Sequence, residues 1–247
     1  MNNKLIRLSK LISHAGVCSR KEAETLIKKN YVKINGEIFK DFFIQKYKIK
    51  TISVNDKILK KKPTRVWILN KPIGYVCSNN EQNSQKNIFR LISNRLPRMV
   101  SVGRLDINSN GLILMTNNPT FSNFLERPEN SIERTYLVKV FGNINNIKQI
   151  NNKSLFINGF LYKDISIRVL TKEANNNLLE IKLTEGKNRE IRKILYHFGF
   201  KVKKLTRISF GPFRLNELKD GKILEVKNFN LRKILKSLRF KDENYFG

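Results

Sequence analysis

The chain has 247 residues and is 40% hydrophobic, enough to bury one medium core with a small unit beside it. Forty-nine Lys and Arg against twenty Asp and Glu leave a net charge of +29, which points to a polyanionic partner, nucleic acid first, and disfavours neutral sugars. The basic residues are spread along the chain with no separate basic amphipathic helix, and no apolar run reaches signal-peptide or membrane-spanning length, so a cytosolic protein with no membrane contact is expected.

Leu8, Leu11, Ile12 and Ala15 recur at helical spacing and predict a helix over residues 5–15, stopped at Gly16. Ser19-Arg20-Lys21-Glu22 has the form of a capping box opening a second helix, with Ala23, Leu26 and Ile27 as its apolar face and Asn30 as its stop. Asn35-Gly36 between Val32, Ile34 and Ile38 predicts a two-residue hairpin, and residues 51–54 a further short strand pairing nearby. Residues 1–62 carry sixteen Lys and Arg against five Asp and Glu, a net +11 in a very small unit. Lys60-Lys61-Lys62-Pro63 reads as the linker, giving domains 1–62 and 63–247.

Beyond the linker, strands are expected at 66–69, 112–116, 136–141, 155–157, 165–170 and 178–183. Asn158-Gly159 and Asn175-Asn176-Asn177 stand where hairpin turns would, and Ile191, Ile194, Leu195 and Phe198 mark a helix. The larger domain is therefore α+β, with a largely antiparallel sheet. A short helix is expected near 228–240, with little reason for order from 241 to 247.

Two segments can carry chemistry. Gly103-Arg104-Leu105-Asp106 sits in a Gly- and Asn-rich loop entering a buried strand, where a carboxylate can be held rigidly yet stay reachable. By turn preference alone such an Asp is more often a cap or turn residue. Glu185-Gly186-Lys187-Asn188-Arg189-Glu190-Ile191-Arg192-Lys193 leads into a helix with Arg189, Arg192 and Lys193 at i, i+3 and i+4, suited to meet phosphates and a carboxylate. The competing reading is a solvated basic face. Cys18 and Cys77 stand far apart and are expected as small buried hydrophobes, and with only His14 and His197 available no metal site is expected.

Taken together, these segments resemble the RsuA/RluB family of rRNA pseudouridine synthases over most of the chain. Asn70-Lys71-Pro72-Ile73-Gly74-Tyr75-Val76 resembles the first family motif, and GRLD at 103–106 with GLILMT at 111–116 the catalytic one. Tyr136 in ERTY, EGKNREIRKIL from Glu185 and LTRISFGPF from Leu205 follow in order. Residues 5 to about 50 are similar to the alpha-L RNA-binding motif that precedes the catalytic domain in many members.

The resemblance implies catalytic roles for Asp106, Arg192 and Tyr136, with Arg192 salt-bridging Asp106 and Tyr136 stacking on the target base and taking part in deprotonation. It places Arg104 where the extruded base leaves a gap. Lys71, Arg189 and Lys193 read better as phosphate contacts than as catalysts, and Arg7, Lys10, Arg20 and Lys21 as backbone contacts of the N-terminal module. The reaction is an isomerisation and implies no cofactor. The Asn-Arg-Glu-Ile-Arg form of the fourth motif resembles enzymes of large-subunit RNA, so 23S rRNA is the expected partner, with the large-subunit precursor favoured and the target in the peptidyl-transferase region; 16S rRNA is the alternative. A monomer with no obligate protein partner is expected. Two other classes compete: a non-catalytic RNA-binding factor, and a glycoside hydrolase using Asp106 and Glu185.

Overall fold

The computed structural model describes residues 5–60, 62–78, 85–173 and 176–241. Lys61 of the expected linker, Asn175 of the expected hairpin and residues 242–247 of the tail lie outside the described residues.

The N-terminal part runs β1 (Leu5–Arg7), α1 (Leu8–His14), α2 (Arg20–Lys28), β2 (Val32–Ile34), β3 (Glu37–Ile38), β4 (Phe43–Gln45), β5 (Ile52–Val54) and β6 (Lys57–Ile58). The expected first helix starts three residues late because Leu5, Ile6 and Arg7 pair antiparallel with Gln45, Ile44 and Phe43. Gly16, at φ +76, ends the turn after α1 in a conformation that suits glycine. The capping box forms: Ser19 Oγ accepts from Glu22 N–H at 3.2 Å, and Glu22 Oε2 from Ser19 N–H at 2.7 Å. Asn35 and Gly36 take φ +52 and +92, as a two-residue hairpin turn requires. Asn55-Asp56 makes a second such turn between β5 and β6, at φ +48 and +61, which the sequence reading did not anticipate. Leu8, Leu11, Ile12, Ala23, Ile27, Val32 and Val54 close a separate small core.

The larger part runs β7 (Val66–Lys71), β8 (Val100–Val102), β9 (Asn110–Thr116), α3 (Pro119–Glu126), β10 (Arg134–Phe141), β11 (Leu155–Ile157), β12 (Phe160–Tyr162), β13 (Ser166–Thr171), β14 (Asn177–Leu183), α4 (Glu190–His197), β15 (Lys201–Phe210), β16 (Phe213–Arg214), β17 (Ile223–Glu225) and α5 (Asn228–Ser237). The main sheet has the order β13-β14-β10-β15-β9-β7-β17, with β8 on β9 and β16 on β15. Its described pairs are antiparallel except β9 with β15, which run parallel.

Every residue of β7 and β9 is buried because both faces of the sheet are covered. Trp67, Leu69, Ile113 and Met115 join the core beneath α4, while Val66, Ile68, Leu112 and Leu114 join the one closed by α3 and α5. The strand β15 went unread in sequence because Lys and Arg interrupt its apolar alternation. The helix α3 is set by Asn118, whose Oδ1 accepts from the Thr120 and Phe121 amides, and by Pro119 in its first turn. Thr120 Oγ1 lies 2.9 Å from His14 Nε2, joining α3 to α1. Cys18 and Cys77 are half-buried rather than fully buried.

Candidate active site

The loop before β9 is fixed from several sides. Gly103 takes φ +64, and the Asp106 carbonyl accepts from Ser109 N–H at 3.0 Å to close a turn. The Ile107 carbonyl accepts from Gly74 N–H at 2.9 Å, and Leu105 N–H donates to Cys77 Sγ at 3.4 Å. Turn closure therefore falls to the backbone of Asp106, and its carboxylate is turned to the arginines of α4. Asp106 Oδ2 lies 3.7 Å from Arg189 Nη1 and 4.0 Å from Arg192 Nε, with 30% of the carboxylate side chain exposed.

Both arginines come from one helix start. Arg189 holds the left-handed conformation, φ +53, at the N-cap of α4, which is unusual for a residue with a β-carbon. Arg192 Nη2 donates to the Asn108 carbonyl at 2.9 Å, fastening the catalytic-loop candidate to the helix. Burial pulls the Arg192 guanidinium below its usual pKa; Arg189 adds to the effect and Asp106 opposes it.

The sheet supplies the floor of a cleft of about 310 Å³ lined by Arg104, Asp106, Arg134, Tyr136, Leu205 and Arg207, with Glu185 and Glu190 at its α4 side. Tyr136 is 8% exposed and stands opposite Arg207 across β10 and β15, so the two side chains share a face. Arg134 is buried. It donates to the Thr184 carbonyl and, at 3.2 Å, to that of Leu125, with its guanidinium 4.6 Å from the Phe210 ring centroid. Burial also lowers the pKa of Arg134, and raises that of Glu190. Glu185 Oε2 is taken by Lys187 Nζ at 2.8 Å.

Lys71 departs from its expected phosphate contact. It has no exposed surface, and its Nζ donates to the carbonyls of Pro72 at 2.9 Å and Tyr75 at 2.8 Å, so it shapes the loop facing Asp106. Burial pushes its pKa down to about 8. Arg189, also expected at phosphates, is the cation nearest Asp106 among the described ion pairs. Arg104 is exposed at the cleft rim. Lys193 is exposed outside the cleft, its Nζ 5.7 Å from the Phe160 ring centroid.

In the N-terminal unit Arg7 is exposed and pairs with Glu24 at 2.8 Å, Lys10 is half-buried, and Lys21 is exposed. Arg20 lines a second cleft of about 300 Å³ with Arg98, Ser13 and Ser19; Glu126 lines both clefts. Arg134, Glu190 and Arg207 were missed as individual site residues. Their signal was membership in the quoted motifs, since nothing in composition says that a charged side chain will be buried. Among the described residues, no three His, Cys, Asp or Glu side chains gather as metal ligands. None of the described helices is long and apolar enough to cross a membrane.

The RNA pseudouridylate synthase family model matches residues 65–197, and the S4 domain model residues 6–41. An uncharacterised RNA pseudouridine synthase of Rickettsia bellii is 41% identical over 217 residues, covering 86% of this chain and 93% of that protein. Ribosomal large subunit pseudouridine synthase B of Buchnera aphidicola subsp. Schizaphis graminum is 36% identical over 225 residues, covering 87% and 88%. A crystal structure of a pseudouridylate synthase shares 27% identity at a TM-score of 0.66, over 93% of this chain and 99% of that one.

Proposed function

Because the chain belongs to the RNA pseudouridylate synthase family, and is thus an RNA-modifying isomerase with an N-terminal S4 domain, we propose that Asp106 is the carboxylate with which it converts a uridine of 23S rRNA to pseudouridine. The observation that carries this reading is the Asp106 carboxylate, part-exposed in the cleft and flanked by Arg189 at 3.7 Å and Arg192 at 4.0 Å. Large-subunit RNA is favoured because two relatives of Buchnera aphidicola carry the name ribosomal large subunit pseudouridine synthase B. The peptidyl-transferase region is the proposed location of the uridine, and the cytoplasm that of the enzyme.

In the reaction the C1′–N1 bond breaks, the base turns, and a C1′–C5 bond forms, while the proton on C5 is lost and N1 gains one. Product and substrate are isomers, so nothing is consumed. Asp106 serves in the ionised form, whether it attacks C1′ or removes the C2′ proton. Arg192 and Arg189 orient it. Tyr136 offers an aromatic face on the cleft floor for the base, and Arg104, at the exposed rim two residues before Asp106, fills the gap left when the nucleotide turns out of its helix. Residues 1–62 form the proposed RNA-binding domain. Arg7, Lys10, Arg20 and Lys21 contact the RNA backbone, and Lys193 a phosphate outside the cleft. The second cleft, which meets the first at Glu126, gives the RNA a path between the two units.

The test uses purified protein and 23S or 16S transcripts labelled with tritium at uridine C5, since bond formation at C5 expels that hydrogen to water. Wild type releases tritium from the 23S transcript. Asp106→Asn releases none while binding the transcript within about threefold of wild type, as positioning by phosphate contacts predicts. An active Asp106→Asn protein, or no release by wild type from either transcript, contradicts the reading.

A further inference from the structure

Two side-chain atoms among the cleft-lining residues have no hydrogen-bond partner among the described residues and opposite hydrogen-bonding sense. Arg207 Nη2 is a donor and Glu190 Oε1 an acceptor, and both atoms are buried. The residues are 3% and 4% exposed. The remainder of each is fixed. Arg207 Nε donates to the Leu112 carbonyl at 2.7 Å, with the guanidinium 5.1 Å from the Phe210 ring centroid. Glu190 Oε2 accepts from Lys187 N–H at 2.9 Å. A buried polar group without a partner is costly, and a ligand that supplies the partner removes that cost. The neighbouring Arg134 is already committed to carbonyls and does not satisfy Glu190.

We propose that Glu190 and Arg207 grip the N3 edge of the target uracil, Glu190 Oε1 accepting N3–H and Arg207 Nη2 donating to a flanking carbonyl oxygen. The proposal rests on the reading of this cleft as the site of pseudouridylation. Uracil presents a donor at N3 between two acceptors, O2 and O4, which one acceptor and one donor can meet. Cytosine presents an acceptor at N3 and an amino group at C4, which sets acceptor against acceptor at Glu190. Arg207 stands opposite Tyr136 on the sheet, so its guanidinium is on the face where the base would stack. Glu190 reaches the same cleft from the first turn of α4, two residues before Arg192.

The same pair suits the rearrangement. The base must turn so that C5 takes the place of N1, and a half-turn about the axis through C6 and N3 does this. That turn exchanges O2 with O4 and leaves N3–H where it was. Glu190 therefore keeps its bond throughout, as a pivot. Arg207 holds one carbonyl oxygen before the turn and the other after it, while C1′–N1 is broken and C1′–C5 made. Both are positioning residues for the base; Asp106 remains the group at the sugar.

The bland alternative is that Glu190 only fastens the loop through the Lys187 amide, and substrate analogues separate the two. The 23S fragment that releases tritium is synthesised with uridine, 3-methyluridine or cytidine at the reacting position. Each is bound by Asp106→Asn protein, in which turnover is blocked, with Glu190 intact or replaced. With Glu190 intact, uridine RNA binds about tenfold more tightly than either analogue, as a site that reads a base edge with two contacts predicts. Glu190→Ala reduces that preference to less than about twofold. Glu190→Gln, which keeps an acceptor oxygen, retains the preference for uridine over 3-methyluridine. An equal loss on all three RNAs with an unchanged preference overturns the proposal in favour of loop fastening. Should Glu190→Ala fail to fold, the lack of any preference in the Asp106→Asn protein alone overturns it. Failure of wild type to release tritium is a separate result, and removes the function on which the proposal stands.

Discussion

Asp106 shows how little a side chain's type alone reveals: by turn preference it is more often a cap or turn residue than a catalytic one. The fold resolves this by giving the turn to its backbone, through Ser109 N–H, and the carboxylate to two arginines. Arg192→Ala removes one of these and also frees the Asn108 carbonyl, so kcat for tritium release is expected to fall about tenfold or more with little change in KM, the pattern of an interaction that orients the reacting group. Equal losses in kcat and RNA affinity would contradict that assignment. The basic triad of Arg189, Arg192 and Lys193 was legible as helical spacing, but not the division of labour within it. Arg189, 3.7 Å from Asp106, holds a left-handed backbone at the N-cap of α4, which helical spacing does not reveal. Lys71 was misread because lysines are rarely fully buried. It titrates near pH 8 in the folded chain and at its ordinary value of 10.5 in the unfolded one. Between these values the unfolded chain binds the extra proton, so folding stability from this group rises with pH. The stability difference between wild type and Lys71→Met, measured by urea unfolding, is expected to grow in wild type's favour by about 3 kcal/mol from pH 7 to pH 10.5. A flat difference would show that Lys71 is not held charged and buried at neutral pH.

At the scale of elements, the parallel contact of β9 with β15 brings the loop that carries Asp106 to the strand that lines the cleft floor, and one glycine permits it. Gly111 has φ +106, and a β-carbon there would lie 2.3 Å from the Arg207 carbonyl oxygen, which no small adjustment relieves. Gly111→Ala is expected to cost more than about 3 kcal/mol, lowering Tm by roughly 10 °C and abolishing tritium release; an unchanged Tm would mean that β9 and β15 do not approach this closely. Ser19→Ala, by contrast, breaks only the capping box, for about 1 kcal/mol. Hydrogen exchange should quicken in residues 20–28 and not in β9. Elements with strong local signals were legible: the α2 cap, the Asn35-Gly36 and Asn158-Gly159 turns, and the apolar period of α4. The strand β1 was taken for helix because Leu5 and Ile6 fit either period until the partner strand β4 is known. The helix α3 has a clear Asn-Pro start but offers too few residues for its period to stand out.

For the whole molecule, charge and fold act together. The net +29 is a property of the full chain, whereas the cleft chemistry belongs to a few groups near β9, β15 and α4. RNA affinity is therefore expected to fall steeply with salt, with a log–log slope of about −0.7 for each single-strand phosphate contact, and a slope near zero would remove the backbone-contact account. Deleting residues 1–62 should weaken binding and blur the choice of uridine more than it slows chemistry on RNA that is bound. Retained selectivity after deletion would locate recognition in the larger unit alone. The α+β class, the sheet-rich core and the family were readable from motif order. The nine-stranded arrangement was not, because pairing between β9 and β15 joins residues almost a hundred positions apart. The most direct test of the central claim is pseudouridine mapping of rRNA from cells lacking this gene and complemented with wild type or Asp106→Asn, read as carbodiimide-dependent reverse-transcription stops. The expected result is a 23S stop that is missing without the gene, restored by wild type and not by Asp106→Asn. A stop pattern identical in all three strains would contradict the assignment of Asp106 and of its substrate.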